Sequence, residues 1–297
     1  MFYVSLFFLV FCLAATTMAD VKKEFGEFRL THSEKIGNEP VLKRHYSSRS
    51  LYRGVFGFNW CSTLDFKISV TDEMSIFDCE LGKRISFKQK NSKRFENEEN
   101  NLKLIIRDHF IVYQRPHTTY FFSMDGRLSH WMAPSQPEIY VIYKGDRIVR
   151  LMGKKIGTVN LSYNREGLVQ TLGSAYRYEY AQGLLSKVQK TKRSVWQYQY
   201  DEFLNMTLWR SPSNFESMKY DSEWDRIVEL KDTQACRFRF QYEIKKSKKY
   251  IVETKKCATQ AEKETVFEMV SPRLLIKSSS DQLGTEFRQG VINENVF

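Results

Sequence analysis

The feature that most constrains this chain is a tyrosine that keeps returning. Tyr143, Tyr163, Tyr180, Tyr200, Tyr220 and Tyr242 follow one another at intervals of 20, 17, 20, 20 and 22 residues. Each closes a run that alternates apolar and polar residues. A few polar or small residues come next, and then a second alternating run. "YRYEY", "AQG", "LLSKVQ" and "LSY", "NREG", "LVQTL" show the unit plainly. Alternation is the period of a strand whose two faces differ, and a short polar break holding glycine is hairpin-turn chemistry. A fixed period of this length marks an array of like units. The expected fold is therefore all-β: one long antiparallel sheet of consecutive β-hairpins.

Local chemistry agrees with that reading. Gly167 and Gly183 provide the positive φ that tight turns need. At Leu204-Asn205 and Trp224-Asp225 the turn falls to Asn and Asp, which tolerate the left-handed region better than most residues. Residues 102–134 read as strands joined at Arg107-Asp108, Arg115-Pro116 and Asp125-Gly126. Leu81-Gly82 joins an earlier pair, and residues 245–249, "KKSKK", form a hairpin tip. Residues 91–101, "NSKRFENEENN", read as an exposed crossing between hairpins. Residues 20–40 are a lead-in strand or a partly ordered arm. After Cys257, "ATQAEKETVFEMV" reads as a short helix or an edge strand and "PRLLIK" as a strand, within a tail spanning 258–297. Aromatic residues make up 14% of the chain and prolines number only 6; the first leans toward strands and the second against a long disordered linker.

The first nineteen residues carry no charged side chain, and residues 2–15 are almost unbroken apolar text. Thr17 and Ala19 place small residues at the positions a signal peptidase reads, ahead of Asp20. This is the pattern of a secretory signal peptide, although its start lacks Lys or Arg. The run is shorter than the ~20 residues of a membrane-spanning helix; an uncleaved anchor is the alternative, and no later segment is long and apolar enough to span. Removal of the leader leaves Cys61, Cys79, Cys236 and Cys257, an even set that suits an oxidising compartment. Folding "CRFRFQYEIKKSKKYIVETKKC" at its lysine tip sets Cys236 opposite Cys257. Folding "CSTLDFKISVTDEMSIFDC" near residues 69–71 sets Cys61 opposite Cys79. Both pairs are expected to be hairpin-closing disulfides.

The array, with "WQYQYDEF" and "MKYDSEWDRIVEL" as its best cases, resembles the RHS or YD-repeat family of bacterial Rhs proteins, toxin-complex B and C subunits and animal teneurins. Residues 44–68, "RHYSSRSLYRGVFGFNWCSTLDFKI", resemble the entry segment that precedes such arrays, with Arg44, Tyr46, Ser47, Gly54, Phe56, Gly57 and Trp60 in the family's order. The resemblance covers residues 40–257, with the repeats from about residue 118. It implies a β-sheet that spirals into a shell around cargo. This chain departs from that pattern: it has about seven units, no family-type core motif after the array, and a tail too short for a toxin domain.

No catalytic signature appears. The histidines His32, His45, His109, His117 and His130 are scattered, and GxSxG, HExxH and P-loop patterns are absent. Asp125, Asp146, Asp201, Asp221 and Asp225 recur at similar repeat positions, where turn chemistry explains them. No cofactor or metal is expected. Asn160 and Asn205 stand in glycosylation sequons. The formal net charge is +11, which draws anionic partners, yet the cations are interspersed with acids as on solvated strand faces. Nucleic acid conflicts with export. The expected function is an exported, non-catalytic scaffold, secreted or in the cell envelope, that binds or wraps a partner protein at open sheet edges. A surface adhesin that binds glycans is the alternative, for which an exposed aromatic row beside Lys and Arg would speak. A hydrolase on a β scaffold ranks third.

Overall fold

The computed structural model describes residues 17–70, 73–134, 138–191, 194–271, 274–280 and 288–293. Among them there is no α-helix; two 3-10 turns, Lys23–Phe25 and Thr63–Asp65, interrupt a chain built of strands. The N-terminal part makes a four-stranded antiparallel sheet from Thr17–Lys22, Glu27–Ile36, Glu39–Ser47 and Trp60–Ser62. Arg53–Gly54 and Gly57–Phe58 pair as a small ribbon, and the strands from Ile68–Ser69 to Arg288–Asn293 make one long sheet in which each strand pairs antiparallel with the next in sequence. Among the described residues no ladder joins its last strand to its first, so the sheet is open. Its first strand nevertheless folds back: the Ile68 amide donates to the Gly126 carbonyl at 2.9 Å.

The recurring tyrosines explain themselves in this sheet. Each hairpin from Ile139–Lys144 to Phe215–Tyr220 carries a β-bulge just before its tyrosine, between Ile142 and Tyr143, Ser162 and Tyr163, Glu179 and Tyr180, Gln199 and Tyr200, and Lys219 and Tyr220. The bulge sets each tyrosine opposite the first or second residue of the returning strand: Ile148, Val169, Leu185, Met206 and Ile227. The next tyrosine in the series then donates its hydroxyl to the carbonyl of that same residue. Tyr163 bonds Ile148 at 2.6 Å, Tyr180 bonds Val169 at 2.6 Å, Tyr200 bonds Leu185 at 2.9 Å, Tyr220 bonds Met206 at 3.0 Å and Tyr242 bonds Ile227 at 2.9 Å. Tyr143 starts the series on the Leu128 carbonyl, where Phe122 occupies the bulge. A bulge leaves a backbone group outside the ladder and bends its strand; here the neighbouring repeat's phenol supplies the partner that a buried carbonyl needs.

The bent sheet packs around the N-terminal segment, which runs along it in the reverse order of the repeats. Val169 donates to Val55, Met206 donates to the Tyr46 hydroxyl at 2.8 Å, and Ile227 donates to Gly26 at 2.9 Å. Gly57, at φ 99°, lies so close to the Gly183 carbonyl that a Cβ would sit 2.5 Å from it. Phe28, Leu30, Tyr46, Phe56 and Trp60 are wholly buried and share one core with Tyr113, Tyr178, Leu185 and Met206. Burying a large apolar side chain contributes roughly 1.5–3 kcal/mol, so this insertion is a principal source of stability.

Some expectations hold and others meet a different outcome. Residues 20–40 take the lead-in strand alternative rather than the partly ordered arm, carrying Glu27–Ile36 with Phe28 and Leu30 fully buried. The stretch 91–101 contains the strand Arg94–Asn97, drawn into the sheet by the burial of Phe95. The Leu204-Asn205 turn puts its positive φ, 67°, on Leu204, while Asn205 is buried and donates to Asp225. The tail joins the sheet as Lys263–Ser271, Leu274–Ser280 and Arg288–Asn293. Both cysteine pairs are bonded. Cys236 and Cys257 stand opposite in the register that sets Arg237 against Lys256. Cys61 and Cys79 do not close a hairpin. Cys61 lies on Trp60–Ser62, paired with Glu39–Ser47, because the Thr63–Asp65 turn sends the chain into the second sheet, so this bond ties the two sheets together. Of the leader, residues 1–16 lie outside the described residues, while Thr17, Met18 and Ala19 begin the edge strand against Glu27–Ile36.

Candidate functional site

The strand Glu27–Ile36 turns Phe28, Leu30, His32 and Glu34 to the same side, and all four are buried. Alternation that is apolar at 28 and 30 becomes ionisable at 32 and 34. Across the hairpin, His32 pairs with Arg44 and Glu34 with Leu42. Arg44 is 1% exposed and Glu34 2%. Arg44 Nε donates to Glu34 Oε1 at 2.5 Å, and Nη2 reaches the Tyr198 hydroxyl at 3.5 Å. Tyr198 also meets His32 Nε2 at 2.9 Å. The guanidinium lies 4.6 Å from the Trp60 ring, 5.3 Å from Phe56 and 5.6 Å from Tyr178. A planar, permanently charged group with five donors suits such an aromatic cage.

Burial decides the protonation states. It holds the His32 imidazole well below its ordinary range, with the Arg44 charge acting in the same sense, so His32 is neutral at physiological pH. It pushes the Glu34 carboxyl upward against the pull of Arg44, and the Tyr198 phenol up to about 12. Beside the cluster opens a cavity of about 320 Å³ lined by His32, Glu34, Lys35, Arg44, Tyr176 and Trp196 among others. His32 and Glu34 on one wall are the residue types of a hydrolytic pair, but Glu34 is held by Arg44 and His32 Nε2 by Tyr198. The arrangement serves recognition through fixed charges and donors better than proton transfer.

The entry-segment residues converge on the array. Arg44 forms the buried pair. Tyr46 accepts from Met206, and Trp60 Nε1 donates to the Tyr200 hydroxyl at 3.0 Å. Ser47 bonds Glu27, Phe56 packs on Tyr178, and Gly54 admits the Trp60 carbonyl where a Cβ would stand 2.4 Å away. The six repeat tyrosines, by contrast, are committed to backbone carbonyls. The repeat carboxylates are committed too. Asp201 and Asp221 accept amides of their own turns, Asp125 accepts from Ser123 and Arg127, and Asp146 and Asp225 accept from Arg127 and Asn205. His45 bonds Thr31, His130 is stacked between rings, and His109 and His117 are exposed. Of the two sequons, Asn160 is exposed and Asn205 is buried. Among the described residues no group of three His, Cys, Asp or Glu has metal-binding geometry, and no helix is long and apolar enough to cross a membrane.

Sequence reasoning missed Glu34, Tyr198, Tyr176 and Trp196 as a site. The available signal was the polar intrusion at 32 and 34 on an otherwise apolar strand face. No family model matches the chain, and no curated protein matches it.

Proposed function

We propose that this chain is an exported, non-catalytic β-scaffold of the RHS type that binds a partner protein. The observation that carries the reading is an apolar strip on the sheet face turned away from the core. Phe121 and His130 stack at 4.2 Å between ring centres, Tyr140 continues the stack at 5.1 Å, and Phe110 meets His130 edge-on at 5.5 Å. Exposed Met132, Ile142 and Met152 flank them. Their neighbours Tyr120, Trp131, Val141 and Leu151 face the core, as strand alternation requires. A contiguous apolar strip across adjacent strands is unusual on a free surface and characteristic of interaction sites, and Tyr, Phe and Met are enriched in protein interfaces. The resemblance of the array and its entry segment to RHS proteins supports a scaffold, and the internal commitment of the repeat tyrosines speaks against a sugar-stacking row made from them. The two disulfides suit an extracytoplasmic setting.

A second reading, glycan adhesion, is favoured by one patch. Lys219, Lys231, Arg237 and Arg239 share the single carboxylate of Glu229 at 3.5 to 3.8 Å. Affinity capture with the mature protein and a Met132→Lys/Met152→Lys variant, read by quantitative mass spectrometry, separates the two. A stoichiometric protein retained by the parent and lost from the variant supports the scaffold. Retention on polysaccharide resin by both proteins supports the adhesin. Capture of neither class overturns the scaffold reading.

A further inference from the structure

We propose that the cavity beside the Arg44–Glu34 pair is a binding site for a small sugar acid, a ring of hexuronate type. The inference is independent of the scaffold reading. Three observations carry it. First, the pair is incompletely satisfied: Glu34 Oε2 and Arg44 Nη1 have no hydrogen-bond partner, nor has the adjacent Tyr178 hydroxyl, although all three residues are almost wholly buried. An unpaired buried polar atom costs about 1–3 kcal/mol, more when charged, and where one persists a partner is to be sought. A second buried ionic cluster, around Asp78, behaves differently. Asp78 takes Tyr113, Arg115 and the Leu81 amide, and neither Arg115 nor Tyr113 is left with an unpaired buried atom.

Second, the space and walls suit a sugar ring. The cavity, about 320 Å³, falls in the size range of small-molecule sites. Trp196, Tyr176 and Val188 supply flat apolar wall, and Glu34, Arg44, Asn38 and Ser33 supply polar groups. A carboxylate oxygen needs a donor and a guanidinium needs an acceptor. Neighbouring hydroxyls of a sugar ring are both, so a sugar edge matches the chemistry of the wall that Glu34 and Arg44 form. An aliphatic or purely aromatic ligand completes neither.

Third, the charge balance selects an acid. Within the lining Glu34 offsets Arg44, and His32 is neutral, which leaves Lys35 and Lys190 as the excess charge. Lys190 Nζ lies 5.6 Å from the Tyr176 ring centre, and Tyr176 in turn accepts the Lys35 amide at 2.8 Å, so the tyrosine fixes both lysine-bearing strands at the cavity. A ligand carboxylate balances this excess charge.

Isothermal titration of glucuronate into the mature protein tests the proposal, with glucose and acetate as controls and with the Lys35→Glu/Lys190→Glu variant. Neither lysine side chain is fully buried, and Lys35 holds Tyr176 through its main chain, so the variant is expected to keep the parent's thermal midpoint. The expected result is one saturable site for glucuronate, at least about tenfold weaker for glucose, for acetate and for the variant. Absence of saturable glucuronate binding overturns the site. Equal affinity for glucose or for the variant overturns the role of the lysines, and equal affinity for acetate overturns the sugar.

Discussion

Two stretches of the same continuous sheet are built on different rules. From Tyr143 to Tyr242 a bulge precedes each tyrosine but the last, and each phenol ties its repeat to the one before. Beyond Tyr242 the device stops. Tyr242 pairs with Ile251 in an unbroken register that runs from Arg237–Lys256 to Lys245–Lys248, and Lys248–Lys256 pairs equally evenly with Lys263–Ser271. The bulged part shares the main core with the inserted N-terminal strands, whereas Ile251 and Phe267 form a small cluster apart. The contrast teaches what the repeat is for. Hairpins alone make a sheet; bulges bend it, and a phenol that bonds the freed carbonyl makes the bend affordable in a buried setting. Bent, the sheet can wrap a segment of its own chain. Unbent, it relies on its Cys236–Cys257 bond and on exposed ion pairs such as Lys248 with Glu268, each worth at most about 1 kcal/mol.

The largest test of this contrast sits where the first strand of the long sheet folds back onto it. Gly126, at φ 82°, would place a Cβ 2.0 Å from the Ile68 carbonyl, whereas Gly145, at φ 61°, has open space around it. Gly126→Val is expected to cost about 4 kcal/mol or more, since strain and a backbone clash add, while Gly145→Ala costs about 1–2 kcal/mol for its φ alone. Urea unfolding of the two variants measures the difference; equal losses would mean that the fold-back contact adds nothing to stability.

Acid is the next lever. Burial pushes the His45 imidazole down to about 4 and holds His32 well below its ordinary range. The unfolded chain, with imidazoles near pH 6.5, therefore binds protons before the folded one does. Stability is full above about pH 6.5 and falls as pH drops toward 4, by up to about 3 kcal/mol for His45. No histidine occurs after His130. The acid loss should thus appear in the wrapped part, and His45→Gln should flatten the pH profile of the urea midpoint between pH 6.5 and 4.5.

The tyrosines give the finest comparison. Tyr200 both accepts from Trp60 and donates to Leu185, so Tyr200→Phe should cost about 2 kcal/mol. Tyr143 makes one bond, to Leu128, and its Phe variant should cost about 1 kcal/mol. Tyr250, past the array, should tolerate Phe within about 0.5 kcal/mol. Thermal midpoints that fail to rank in this order would separate the phenol series from the bending.

The sheet of hairpins was legible because alternation and turn residues are local. The tyrosine period was legible for the same reason, but its meaning was not: a phenol bonding a carbonyl about one repeat back is a contact that spacing does not reveal. The same limit hid the true Cys61 partner strand. An even fold at residues 69–71 satisfies the spacing, whereas the Ser62 and Asp65 capping box at the start of the Thr63–Asp65 turn redirects the chain. Leu204 was missed because its left-handed φ is imposed by the turn around it while Asn205 is buried against Asp225. The cavity was hidden more deeply. Arg44 stood out by its family-like setting, but Glu34 and His32 looked like ordinary surface polarity, and Tyr176, Trp196 and Tyr198 reach them only across more than 130 residues of chain.

The inserted N-terminal strands and the bulged tyrosine array should form one cooperative unit, with the even strands beyond Tyr242 outside it. Native-state hydrogen exchange across a urea series, resolved by peptide, tests it most directly. Residues 27–62 and 139–232 are expected to lose protection together at the highest opening free energy, and residues 248–280 to exchange earlier and independently. Joint exchange of all three stretches, or loss of residues 27–62 while the array stays protected, would contradict it.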